Sequence, residues 1–159
     1  MLFKKKFPIE EYCTTNLATL FSNEREIGWE AFRSASNDDQ LSRIDRELYY
    51  KHLRAVFIEL MLVAITKNCG MDVSSHAHFC VMRYLNEQQL SDIDEIYGGY
   101  NRAFGSSIYD GVREMVLHFA NSLTDGLRRE TLEQLYVEFY GMLKVFTDDV
   151  KTFKLQPGG

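Results

Sequence analysis

The sequence predicts an all-α protein, a single-domain bundle of about six or seven helices with a central buried helix near 40–68. Three observations predict it. The 159-residue chain has only two prolines, Pro8 and Pro157, with 148 residues between them. Proline punctuates loops and is hostile to helix interiors, so a long proline-free stretch suits helices joined by short turns. Apolar residues recur at three- and four-residue spacing along most of the chain. No strictly alternating apolar run bounded by turn residues occurs, so no sheet is expected. Hydrophobic residues make up 45% and charged residues 26%, which excludes a disordered, collagen-like or low-complexity chain.

Each helix has its own signal. Pro8 suits the first turn of a first helix, with Ile9, Cys13, Leu17, Leu20 and Phe21 on one face. Ser22 or Asn23 can cap a second, carrying Ile27, Ala31, Phe32 and Ala35. The polar stretch Ser34–Asp39 reads as a loop. The third helix, about Gln40 to Asn68, has a stripe of Leu41, Ile44, Leu48, Ala55, Ile58, Leu62 and Ile65. Its middle is apolar nearly all round, which marks a helix covered on several sides. Gly70 is the natural stop, because glycine tolerates the left-handed conformation that ends helices.

A fourth helix is expected from Ser74 or Ser75 to Gln88, with Phe79, Met82 and Leu85 inward. Ser91 with Asp92, Asp94 and Glu95 starts a fifth, since carboxylates favour a first turn. It carries Ile93, Ile96, Tyr97, Tyr100 and Phe104, and Gly98 and Gly99 are expected to weaken it or end it early. Gly105-Ser106-Ser107 is a break. A sixth helix follows over about Ile108–Leu123, with Val112, Met115, Val116 and Phe119 inward. Thr124-Asp125-Gly126 turns the chain into a last helix ending near Phe153, with Leu132, Leu135, Phe139, Met142, Val145, Phe146 and Val150 as its apolar set. Residues 1–7 and 154–159 are expected to fray.

The formal charge of −5 disfavours nucleic acid as a partner, because duplex binding needs a basic face. Lys4-Lys5-Lys6 is the only basic cluster and is too small for a stable membrane anchor. The most apolar run, Ala55–Ile65, is 11 residues long and contains Glu59, against about 20 for a membrane span. Three cysteines, Cys13, Cys69 and Cys80, are no disulfide framework. They fit a reducing compartment, so the chain reads as a soluble cytoplasmic protein.

Two places depart from a plain bundle. Glu59 lies within Val56–Val63, where an unpaired charge is expensive and desolvation raises a carboxyl pKa. His52 and Thr66 lie seven residues to either side, near the same helical face, so the three can form a polar seam. In the plain structural reading Glu59 pairs with an arginine or accepts from a tyrosine hydroxyl across a helix contact. The second place is Tyr97–Gly111. It gathers Gly98, Gly99, Gly105 and Gly111 with Tyr97, Tyr100, Arg102 and Tyr109. Tyrosine and arginine dominate binding hot spots, and glycine permits close approach. A helix–helix corner with aromatic packing is the structural alternative.

Other constellations are weaker. His76 and Cys80 are four apart but lack any strict zinc spacing, and Glu114 and His118 lack the further carboxylates of a di-iron site. Phosphate-loop and nucleophile-elbow motifs are missing. No catalytic set, metal or cofactor is therefore assigned. The expected function is a non-enzymatic helical protein-interaction or regulatory module, acting through a protein partner or self-association, with a homodimer as one form. Trp29, Tyr49, Tyr50, Tyr136 and Tyr140 supply the aromatic surface for it. The alternative is a small-molecule or cofactor-binding bundle with a polar site around Glu59. The candidate binding residues are Glu59, His52, Tyr97, Tyr100, Arg102 and Tyr109.

Overall fold

A computed structural model describes residues 6–21, 44–105, 107–124 and 127–158, with the backbone alone at 108 and 109. The expected second helix, the Ser34–Asp39 loop and Trp29 lie outside the described residues. The described chain is all-α. It holds five helices: α1 (residues 9–21), α2 (Arg46–Glu87), α3 (Ser91–Phe104), α4 (Ile108–Leu123) and α5 (Arg129–Thr152). Five is fewer than the six or seven expected, and the third and fourth expected helices are the two halves of α2, which meet at Gly70.

The centre of the bundle is the first half of α2. Asp45 caps its start by accepting from the Leu48 backbone N–H at 2.9 Å, so the helix begins at Arg46 and not near Gln40. Every residue from Ala55 to Ile65 except Phe57 is buried. A helix apolar all round needs neighbours on all sides, and the other helices supply them. Phe57 packs edge-on to Phe146 of α5 at 4.7 Å, and Tyr49 reaches Phe119 of α4, which in turn meets Phe139 of α5. Ile9, Cys13 and Leu17 of α1 lie in the same hydrophobic cluster.

Gly70 breaks α2 with φ 79° and ψ 170°. The two halves fold back on each other as a hairpin. Thr66 Oγ1 and Ser74 Oγ are 2.7 Å apart, although eight residues of straight helix would separate them by about 12 Å. Further along, the Phe21 ring lies 4.7 Å from the Arg54 guanidinium of the first leg and 5.8 Å from the Tyr84 ring of the second. That places Arg54 and Tyr84 side by side.

Several expectations are corrected. Lys6–Pro8 (β1) and Lys154–Gln156 (β2) do not fray but pair as a parallel two-stranded clip, with Phe7 opposite Leu155. Phe7 also packs on Phe153 at 5.5 Å, and Gly158 N–H donates to the Glu10 carboxylate at 2.8 Å. Pro8 closes β1 before α1 begins. Phe79 is 66% exposed, because the inner face of the second leg is Ala77, Val81 and Leu85. Val145 is 60% exposed, beside the true inner stripe of Leu135, Phe139, Leu143, Phe146 and Val150. Leu48 is likewise at the surface.

Gly70→Ala should cost about 1–3 kcal/mol, since its φ/ψ is reserved almost wholly for glycine and no neighbour offers a compensating contact. Urea denaturation measures this, and equal stability of the two proteins would contradict the folded hairpin.

Candidate functional site

The polar seam expected on α2 exists, and α3 supplies its other half. His52 Nδ1 lies 2.7 Å from the Tyr100 hydroxyl, both residues being buried. Two turns further on, Glu59 is 2% exposed. Asn101 Nδ2 donates to its carboxylate at 3.2 and 3.4 Å, and the Tyr97 hydroxyl is its other partner. Tyr97 and Asn101 are four apart on α3, so both face the same turn of α2. The third pair, Thr66 with Ser74, joins the two legs of α2 where they fold.

No cation among the described residues balances Glu59. Burial pushes its carboxyl up from 4.5 to about 7, and the hydrogen bonds from Asn101 and Tyr97 only partly oppose this. His52 moves the other way. Burial first, and then the nearby His118, hold it down near 4. Burial also raises Tyr100, and it raises Tyr97 with Glu59 adding to the effect. The seam is therefore a set of neutral or near-neutral groups at neutral pH, as desolvation requires.

Glu59 also lines an open cleft of about 190 Å³ beside the α2 fold. Thr66 and Lys67 from the first leg, His78 from the second, and Asn101 and Phe104 from α3 share its wall. Lys67 is exposed there, whereas burial lowers the His78 pKa. The cleft thus carries a seated acid, an amide, an imidazole, an exposed lysine ammonium and an aromatic ring.

The glycine window is the corner that sets α3 against α4. α3 runs unbroken through Gly98 and Gly99, contrary to expectation. A Cβ on Gly99 would lie 2.8 Å from His118 Nε2, so the missing side chain admits the His118 ring, which packs edge-on to Tyr100 at 4.7 Å. Gly105, at φ 65°, ends α3, and Ser107 caps α4 by accepting from Asp110 N–H. A Cβ on Gly111 would meet the Phe104 carbonyl at 2.7 Å.

Of the six candidates, Glu59 and Tyr97 meet directly, and His52 and Tyr100 form the neighbouring pair. Arg102 is exposed and turns back toward Gly98, outside the cleft wall. The Tyr109 side chain lies outside the described residues. His118, weighed above only against a di-iron site, packs on Tyr100. Asn101 and His78 were not singled out for this site. The four-residue step from Tyr97 to Asn101 was the available signal for the first. His76 turns to Asp72 on its own helix, and among the described residues no three His, Cys, Asp or Glu side chains converge as metal ligands. No helix of the described residues is long and apolar enough to cross a membrane. Compared with protein-family models, curated proteins and solved structures, the chain matches none.

The two buried groups impose opposite pH slopes. Native Glu59 keeps its proton up to about pH 7 but an unfolded carboxyl releases it near 4.5, so stability falls as pH rises through that window. Native His52 stays neutral down to about pH 4 but protonates near 6.5 when unfolded, so stability falls as pH drops through that range. Glu59→Gln removes only the first slope. Between pH 5 and pH 8 the native protein should lose about 2–3 kcal/mol relative to the variant in urea denaturation. Parallel pH profiles for the two proteins would contradict the assignment.

Proposed function

We propose that this protein is a small-molecule-binding helical bundle whose cleft takes a small polar ligand through a cationic group placed against Glu59. One observation carries the reading: a carboxyl that is 2% exposed lines an open cleft without a cationic partner among the described residues. Buried charges are normally paired, and removing a carboxylate from water without compensation costs several kcal/mol. A ligand ammonium or amidinium supplies the missing charge. Asn101 orients the carboxylate, His78 offers a second polar contact, and Phe104 gives the ligand body an apolar wall. At about 190 Å³ the cleft is smaller than the ~300–1,000 Å³ of drug-sized sites, so the ligand is small.

A protein-interaction role is the second reading. The observation in its favour is the apolar surface of α5, where Val137 is 67% and Tyr140 45% exposed.

Ethylamine and benzamidine, with ethanol and benzamide as neutral counterparts, test the first reading by ¹H–¹⁵N NMR. The cations should shift Asn101, His78 and Gly105 signals selectively. Their affinity should rise with pH below 7 by up to about tenfold per unit, as Glu59 ionises. Glu59→Gln should abolish the preference. Equal responses to charged and neutral compounds, or an unchanged preference in Glu59→Gln, would overturn it.

A further inference from the structure

The outward face of α5 has a symmetry, and no other element among the described residues covers it. Arg129, Glu133, Val137, Tyr140, Lys144 and Asp148 are spaced 4-4-3-4-4 and share one side of the helix, and all six are exposed. Leu135, Phe139 and Phe146, which anchor α5 in the core, lie on the other side. Read in either direction, the stripe is charge, opposite charge, apolar, apolar, charge, opposite charge. Reversing it places positive over negative and apolar over apolar at every level.

We propose that this stripe pairs antiparallel with the same stripe of a second copy of the chain, forming a two-fold homodimer. Val137 packs against the partner's Tyr140, and Glu133 faces the partner's Lys144. Symmetry makes each contact occur twice, as an isologous interface requires. Glu133 and Lys144 occupy nearly the same angle on the helix, so they meet across the seam. Arg129 and Asp148 reach the same level at its ends and add attraction within the ~8–10 Å screening length. A Cβ on Gly141 would meet nothing within 4 Å, which leaves room beside Tyr140 for the second helix. The contact between Arg129 Nε and Glu133 Oε1 within one copy, at 3.9 Å and well exposed, is too weak to compete.

The occupant is set by charge. A parallel copy, or an unrelated apolar helix, would match Val137 and Tyr140 but not the sign reversal on both flanks. Like charges facing each other across an interface are a strong selector against such partners. One helix per copy buries less than the ~1,200–2,000 Å² of stable complexes, so the dimer dissociates on dilution. This inference is independent of the cleft, which lies against α2 and α3.

Sedimentation equilibrium over a concentration series tests it. The native chain should show a reversible monomer–dimer equilibrium that weakens as salt rises. Glu133→Lys alone and Lys144→Glu alone should each weaken dimerisation at least tenfold, since each puts like charges face to face. An equimolar mixture of these two variants should recover the native affinity, because a mixed pair restores both opposite-charge contacts. Far-UV circular dichroism confirms that the surface variants stay folded. A native chain that is monomeric up to millimolar concentration overturns the proposal. So does a dimer indifferent to both variants, or a mixture that fails to recover.

Discussion

The rest of the structure is organised by the need to cover the first leg of α2 on every side. From Ala55 to Ile65 that helix has almost no face for water. At roughly 25 cal/mol per Å² of apolar surface, each large side chain removed from water there contributes about 1.5–3 kcal/mol. One partner cannot do this. The second leg of α2 returns along it after Gly70, α3 lies across its polar seam, and α4 and α5 meet it through Tyr49, Phe57, Phe119 and Phe146. The β1–β2 clip then ties both ends of the described chain beside α1, where Leu155 is buried.

Glu59 stands in the middle of that helix, so its environment is set by packing that exists for other reasons. α3 must lie close enough for Tyr97 and Asn101 to reach the carboxyl. That closeness depends on the corner after Phe104, where Gly105 turns the chain and Gly111 lets α4 approach the Phe104 carbonyl. Gly99 admits His118 against Tyr100, which completes the neighbouring His52 pair. Gly99, Gly105, Gly111, Tyr97 and Tyr100 thus work as the scaffold of the seam. The cleft lies beside it, walled by both legs of α2 near their fold and by the end of α3.

Local patterns made much of this legible in the sequence. Helical spacing located α1, α3, α4 and α5, and Gly70 marked the break in α2. A single carboxylate in an apolar run singled out Glu59, and the seven-residue step linked it to His52 and Thr66. What stayed hidden depends on contacts distant in sequence. Periodicity tells which residues share a face, not whether a neighbour covers it, so Phe79 and Val145 were expected inside. The clip joins two three-residue segments from opposite ends of the chain, too short to alternate. Gly98 and Gly99 stay helical, and Arg102 and His118 fill the space their missing side chains leave. Asn101 acquires its role only when α2 brings Glu59 across. A break at Gly70 was readable, but not the angle through which the chain turns there.

Both the seam and the cleft depend on the state of the Glu59 carboxyl. A ¹³C NMR titration of the glutamate side-chain carboxyls of the folded protein, with Glu59→Gln to identify the resonance, reads it directly. An inflection close to pH 7 is the predicted result. An inflection near 4.5, the value of an ordinary exposed glutamate, would show a solvated or paired carboxylate and would contradict both the buried site and the ligand reading built on it.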